Sequence, residues 1–374
     1  VSPGTTETIE AAVPADRFDV THYRASVEVA ADRQPVDRDE FVVDTRATMR
    51  ALCEYFVAMQ AEDGGISGIG FTDQRAVRGL LAMYELTGDE RYRQAAIAWG
   101  EHELRIQRKD GGYRMGYGIT SRGEECYVAD GGEIAIGMAR LVNYVPQERR
   151  QAYLDSLRAY YNYRESFRLP DGTITVGWVL NERWSTSGID RQREEPFRSD
   201  RSVAFVCTCT LAGLSAWQRI TGDPADRETA IRDARWYLRE DVTAAGGSGE
   251  AAQWAHYLID DPEIRAGFER RMRETLPAWV GRNPIWWIAS GGRSAITLGT
   301  LSYFVTQIED SPEVRMRIAE ALYGMVSPHS PSSVHTVLAQ AEEPNGDEWR
   351  YLCYSAASLA EVLEPLVTMR GFGE

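Results

Sequence analysis

One stretch of this chain occurs twice. LLAMYELTGDERYRQAAIAWGEHELR, ending at Arg105, returns without a gap as LSAWQRITGDPADRETAIRDARWYLR, ending at Arg239. Thr87 and Thr221, Asp89 and Asp223, Arg93 and Arg227, Ile97 and Ile231, and Leu104 and Leu238 keep one constant offset (221 minus 87 and 238 minus 104 both give 134). Each copy reads as a helix, a tight TGD turn and a second helix whose first free N–H is capped by the aspartate side chain. The unit is a helical hairpin, and a hairpin that recurs predicts a fold made by stacking hairpins.

Weaker copies occur wherever an apolar helix meets a short polar turn and then an amphipathic helix: VNYVPQERR near Pro146, LIDDPEIR near Asp261 and QIEDSPEVR near Pro312. The pattern predicts six apolar helices at 72–87, 128–144, 201–220, 250–260, 293–309 and 348–366. Six more polar helices alternate with them at 44–60, 89–107, 147–167, 223–241, 262–280 and 311–327. The polar set, as in ERRQAYLDSLRAYY, has charge on one face and apolar residues at helical spacing, which suits an outer layer with one wet side. The apolar set, as in VADGGEIAIGMARLV and RSVAFVCTCTLAGLSAW, carries little charge and many small residues, and belongs inside. The expected fold is all-α, an (α/α)6 toroid of six helical hairpins. Residues 1–40 read as a short irregular N-terminal extension and 41–374 as the toroid that carries the catalytic site. Within the extension, HYRASVEVA is expected to lie along the toroid surface rather than to form a strand.

In hairpin count, in its TGD-type turns and in the DGG loops that follow Met59-Gln60 and Gln107, the chain resembles the six-hairpin glycosidase-like superfamily over residues 44–368. That resemblance implies carbohydrate chemistry. It leaves the reaction open, because the superfamily contains glycoside hydrolases, polysaccharide lyases and sugar epimerases. The DGG loops also resemble turns of terpene cyclase and prenyltransferase toroids, but the sequence has no DxDD or DDxxD cluster.

A net charge of −15 argues against nucleic acid, whose binding rests on phosphate neutralisation. No apolar run approaches the roughly 20 residues that span a bilayer. The five cysteines are odd in number, and Cys207, Cys209 and Cys353 fall on apolar helices, so they read as small buried residues rather than a disulfide framework. Cys207-Thr-Cys209 lacks the C-x2-C form and a nearby histidine, so no metal and no other cofactor is expected. The start of the sequence lacks both an initiating Met and the apolar core of a signal peptide, which suits a cytoplasmic or an exported, processed protein alike. Oligomeric state is left open.

The connections are asymmetric. Links from apolar to polar helix are short. The returns are long, at 60–71, 108–127, 168–200, 242–249, 281–292 and 328–347, and all lie at the end where the inner helices begin. Long loops on a rigid scaffold are where sites are built. The six helix N-termini add unpaired N–H groups and positive dipole ends. The loop 168–200, with Gly172, Gly177 and Gly188, is the segment expected to close over a substrate.

That rim concentrates carboxylates, aromatics and arginines. The candidate catalytic groups are Asp130, as general acid, with Glu125 or Asp200 activating water. The candidate substrate-binding groups are Tyr113, Tyr117, Tyr127, Trp184, Arg198, Arg201, Trp286, Trp287, Arg293, Trp349 and Arg350. Aromatic faces pack on the C–H faces of sugar rings. The planar fork of arginine matches a carboxylate, which points to uronate units in an oligosaccharide or polysaccharide. Plainer roles stand beside these. Asp130 and Asp200 lie close enough to helix starts to be caps, Glu125 reads equally as a solvated charge, and Arg75, Arg201 and Arg293 as partners for carboxylates. His102 matches Trp236 in the repeat and reads as packing. The leading reading is a glycoside hydrolase acting on an acidic glycan, with unsaturated glucuronyl hydrolases as one form the resemblance allows. The alternatives are a lyase with a base drawn from Tyr113, Tyr117, Tyr127, Tyr354, His256 or His329, and a toroid that binds glycan without turnover.

Overall fold

The computed structural model describes residues 22–31, 34–114, 125–242, 248–280, 293–327, 333–340 and 346–372. The expected outer helices are α1 (Thr45–Met59), α3 (Glu90–Ile106), α5 (Gln147–Glu165), α7 (Pro224–Arg239), α9 (Pro262–Val280) and α11 (Pro312–Val326). Inside them stand α2 (Gly70–Thr87), α4 (Val128–Leu141), α6 (Ala204–Thr221), α8 (Ser248–Leu258), α10 (Arg293–Gln307) and α13 (Gly346–Leu363). Each inner helix packs on the next, and α13 packs back on α2, so the inner layer is a closed ring. The chain therefore has the (α/α)6 toroid fold that its alternating helices predict.

The sequence repeat survives as a repeat of hydrogen bonds. Asp89 caps α3 by accepting from the Arg91 N–H at 3.0 Å, and Asp223 caps α7 by accepting from the Ala225 N–H at 2.9 Å. Asp261 and Ser311 cap α9 and α11 in the same manner. At the other end of the hairpins, the two DGG loops are built alike. Gln60 Nε2 donates to Gly64 O and across to Ala95 O, at 2.8 and 2.9 Å. Gln107 Nε2 donates to Gly111 O and across to Ser156 O, at 2.9 and 3.0 Å. Gly64 and Gly111 sit at φ 94° and 96°, and a β-carbon on either would lie 2.2 Å from a carbonyl oxygen of the neighbouring outer helix. Only glycine fits both demands.

Strands appear where irregular chain was expected. HYRASVEVA belongs to β1 (His22–Ala31), which pairs antiparallel with β2 (Gln34–Asp44). A strand needs a partner, and QPVDRDEFVVD supplies one. β2 passes the expected boundary between residues 40 and 41 and runs directly into α1, whose cap is Asp44. The 168–200 link is also built from strands. β4 (Gly177–Asn181) and β5 (Gln192–Arg198) form a hairpin that extends β3 (Cys126–Tyr127) into a three-stranded sheet at the rim. A short helix, α12 (Val334–Gln340), lies within the 328–347 link.

Among the described residues no helix is long and apolar enough to cross a membrane.

Candidate active site

The rim sheet positions the first group of side chains. β3 runs straight into α4, and the Val128 N–H donates to Val176 O at 2.8 Å, so the start of α4 is fixed to the base of the β4–β5 hairpin. Glu125, buried just before β3, accepts from the Leu180 N–H at 2.6 Å and from the Tyr127 hydroxyl at 3.5 Å. The Tyr127 ring meets Trp184 edge to face, with centroids 6.0 Å apart. Trp184 in turn packs on Phe205 of α6 and carries the Arg183 guanidinium 4.9 Å over its ring. Arg183 is exposed, and among the described residues its guanidinium has no carboxylate or carbonyl partner. The other arginines of this hairpin are engaged: Arg191 and Arg193 on Glu182, Arg198 on Ser166 O and Arg201 on Arg183 O.

Asp130 stands in the first turn of α4, beside this group. Its carboxyl is partly exposed and makes no hydrogen bond among the described residues. Burial, together with the charges of Glu133 and Glu125, pushes it up to about 7, against the pull of Arg350. A carboxyl that still holds a proton part of the time at neutral pH, with no acceptor for it among the described residues, is available to a ligand.

Deeper on the axis, charges meet in a dry interior. Arg75 of α2 donates to Glu133 of α4 at 2.6 Å and to Glu250 of α8 at 2.7 Å. One turn on, Arg78 bridges Glu250 to Glu361 of α13. All five side chains are buried. Gln74 Nε2 also donates to Glu133, at 3.0 Å, and Tyr354 places its ring 4.3 Å from the Arg75 guanidinium. Isolated buried charges would cost several kcal/mol each, so the pairing is what makes this interior tolerable. Burial opposes ionisation of Glu250, but Arg75 and Arg78 together hold it below the ordinary carboxylate range. Glu133 and Glu361 are pushed up by burial and by the Glu250 charge, with their arginines only partly compensating. Three carboxylates share two guanidinia.

The remaining expected site residues fall into three groups. Tyr127 and Arg350 lie close to Asp130, Trp184 packs on Tyr127, and Arg350 lies over Phe71 at 5.7 Å with about a quarter of its side chain exposed (26%). Tyr113, Trp349 and Asp200 do other work. Tyr113 is a core residue: its hydroxyl meets Ser156 Oγ at 2.8 Å, its ring stacks on Tyr160, and burial pushes the phenol up. Trp349 faces the outer layer, against Tyr55 and Phe56 of α1. Asp200 is exposed and accepts from the Thr186 N–H and hydroxyl, both at 2.8 Å, which hold it below its usual range. Arg198 and Arg201 are spent on backbone carbonyls, and Arg198 also lies over Phe167. Tyr117, Trp286, Trp287, His329 and the side chain of Arg293 lie outside the described residues.

Arg183, Arg78, Glu250 and Glu361 are absent from the sequence-based site. The last three carried a signal: each is a charge set in a short run of small and apolar residues, AVRGLLAM for Arg78, SGEAA for Glu250 and SAASLAEVL for Glu361. Arg75 is a partner for carboxylates, as its plainer reading has it. Among the described residues no group of three or more His, Cys, Asp and Glu is arranged to hold a metal ion.

The toroid is similar to those of known carbohydrate enzymes. A metagenome-derived glycoside hydrolase family 9 endoglucanase aligns over 87% of this chain and 84% of its own, at 13% identity and a TM-score of 0.57. A family 76 glycoside hydrolase from a bovine Bacteroides thetaiotaomicron strain aligns over 91% and 84%, at 12% and 0.53. Cellobiose 2-epimerase from Spirochaeta thermophila aligns over 85% and 97%, at 10% and 0.53. The likeness is one of fold. No protein-family model matches the sequence, and no curated protein matches it.

Within that fold, the site holds a carboxyl raised to about 7 in the first turn of an inner helix, with Tyr127 and the Arg350 guanidinium close to it.

Proposed function

We propose that the protein is a glycoside hydrolase with Asp130 as its general acid. The observation that carries this reading is the Asp130 carboxyl itself, without a hydrogen-bond partner among the described residues, partly open and held up to about 7. Glycosidic cleavage needs a carboxyl that is still protonated at working pH and a carboxylate that is not. Asp130 gives its proton to the leaving oxygen as the bond from the anomeric carbon to that oxygen breaks. Water adds to the anomeric carbon and its proton passes to Glu125, whose orientation the Leu180 N–H fixes. Tyr127 and Trp184 supply the stacking surface.

The substrate class in this reading is a glycan bearing carboxylates. Its support is Arg183 over Trp184 together with Arg350 beside Asp130, since the other arginines of the hairpin are engaged within the protein. A β-eliminating lyase has less support. Tyr113 is sealed in the core, and burial raises the phenols of Tyr127 and Tyr354, away from a base. His256 is held between Tyr303 and Glu269.

The test is a panel of uronate-containing and neutral glycans, followed for new reducing ends and for ultraviolet absorbance, with wild type beside Asp130→Asn. The hydrolase reading expects reducing ends without absorbance, abolished by the substitution while binding is kept. New absorbance would mean elimination, and binding without products in wild type would mean a toroid that only holds glycan.

A further inference from the structure

Asp130 and Glu133 are three residues apart on α4, which puts their β-carbons about 5–6 Å apart on one helix face. Asp130 has no hydrogen-bond partner among the described residues. Glu133 uses only one oxygen, Oε2, which accepts from Arg75 Nη2 and Gln74 Nε2 at 2.6 and 3.0 Å. Its Oε1 has none among the described residues. Two carboxyls thus share a face, each with unused oxygen, next to a network in which Glu250 already takes a bond from each of the two guanidinia.

We propose that Glu133 is a positioning residue for Asp130: the two carboxyls hold one proton between them, and Glu133, clamped by Arg75 and Gln74, keeps that proton on the outer partner. The surroundings fit a single negative charge on the pair. From α2 come Gln74, Arg75 and Arg78, and from α8 comes Glu250. From α13 come Arg350 and Tyr354, and from α6 the Cys209 thiol, which these carboxyls help to keep neutral. From the chain just before α4 come Glu125 and Tyr127. Arg75 and Arg78 are shared among Glu133, Glu250 and Glu361, and Arg350, which also pairs with Asp347 at 3.8 Å, is the further cation that acts on Asp130. Two like charges this close do not both ionise over the same pH range, so the pair titrates as a unit in two steps. Burial raises both groups, the Glu133 charge adds to the rise at Asp130, and the Glu250 charge adds to the rise at Glu133.

The consequence is a division of labour. Asp130 meets the ligand, and Glu133 sets the pH at which it lets go. Once the proton has gone to a leaving group, two anions face each other, which drives recapture of a proton for the next turnover.

The test needs a readout that does not depend on turnover, because the catalytic role of Asp130 is itself the reading proposed above. Full-length protein labelled with carbon-13 at Asp and Glu carboxyls would be titrated by NMR as wild type, Glu133→Gln and Asp130→Asn. Glutamine keeps the acceptor for Arg75, and the pairing predicts that the Asp130 carboxyl then titrates at least about one pH unit lower. By reciprocity Glu133 moves down by a similar amount in Asp130→Asn, which decides the matter should the glutamine variant fail to fold. An Asp130 titration unchanged by Glu133→Gln, or a Glu133 titration unchanged by Asp130→Asn, overturns the proposal. Kinetics add a second arm. If Asp130 is the acid, Glu133→Gln shifts the alkaline limb of kcat/KM to lower pH with the plateau largely kept, whereas a merely structural role lowers the whole profile. A shift seen by NMR in a protein that cleaves no glycan would leave the pair standing and remove the hydrolase reading.

Discussion

An aspartate stands near the start of α4 and another near the start of α6, and the two behave in opposite ways. Asp200 lies four residues before α6, in water, with an N–H and a hydroxyl of Thr186 on its oxygens and a carboxyl held low. Asp130 lies in the first turn of α4, beside the rim sheet, with no such donors among the described residues and a carboxyl held up to about 7. Neither residue type nor distance from a helix start makes an acid. Burial, the sign of the neighbours and the absence of donors do.

The largest expected contrast is in turnover. Asp130→Asn should lower kcat by about 10²–10⁴, the usual worth of a positioned general acid, without loss of fold by circular dichroism. Next is the joint that holds the α4 start in place. Gly177 sits at φ 111° with room for a β-carbon only 2.5 Å from Cys126 O. Gly177→Ala should cost about 1–3 kcal/mol in a denaturant melt, and an unchanged melt would show that β4 does not anchor α4. The pH dependence separates the two aspartates by sign. Activity carried by protonated Asp130 should fall about tenfold per pH unit above about 7. In stability, Asp130 holds a proton that the unfolded chain gives up near its ordinary value of 3.8, so its contribution is complete below that pH and is lost as pH rises toward 7. Asp200, lowered in the folded state, contributes above its ordinary range and loses that contribution as pH falls through it. A smaller effect belongs to Arg183→Ala, expected to raise KM up to about tenfold for a uronate glycan and to leave a neutral one unaffected; equal effects on both would remove the carboxylate-reading role. Smallest is Asp200→Asn, for which turnover should stay within about twofold of wild type.

The helical frame was legible because its information is local. The TGD turns, their aspartate caps and the alternation of small-residue and amphipathic helices each span a few residues, and all twelve toroid helices follow from them. The rim sheet was not, since β3 is two residues long and its partner β4 lies about fifty residues later. Side-chain direction was the part that sequence position did not carry. Trp349 and Arg350 are neighbours on α13, yet a helix turns about 100° per residue, so Trp349 packs outward on α1 while Arg350 and Tyr354, four apart, face inward. Tyr113 follows a DGG loop as a rim residue should, but Tyr160 and Ser156 enclose it. Of the hairpin arginines, only the fold tells which bind carbonyls and carboxylates among the described residues and which lies over Trp184.

Closure of the inner ring bears on how the protein comes to be made. α2 and α13 are neighbours in space and nearly three hundred residues apart in sequence, so their contact must wait until the chain has grown through α13. Until α13 arrives, Arg78 lacks Glu361 and Arg75 lacks the ring of Tyr354, and the gap they face stands open to water. The final inner helix therefore delivers apolar surface and counter-charge in one step. The barrel dries only when its last stave is in place, and a ribosome-bound fragment short of Glu361 should remain an open, hydrated arc of hairpins.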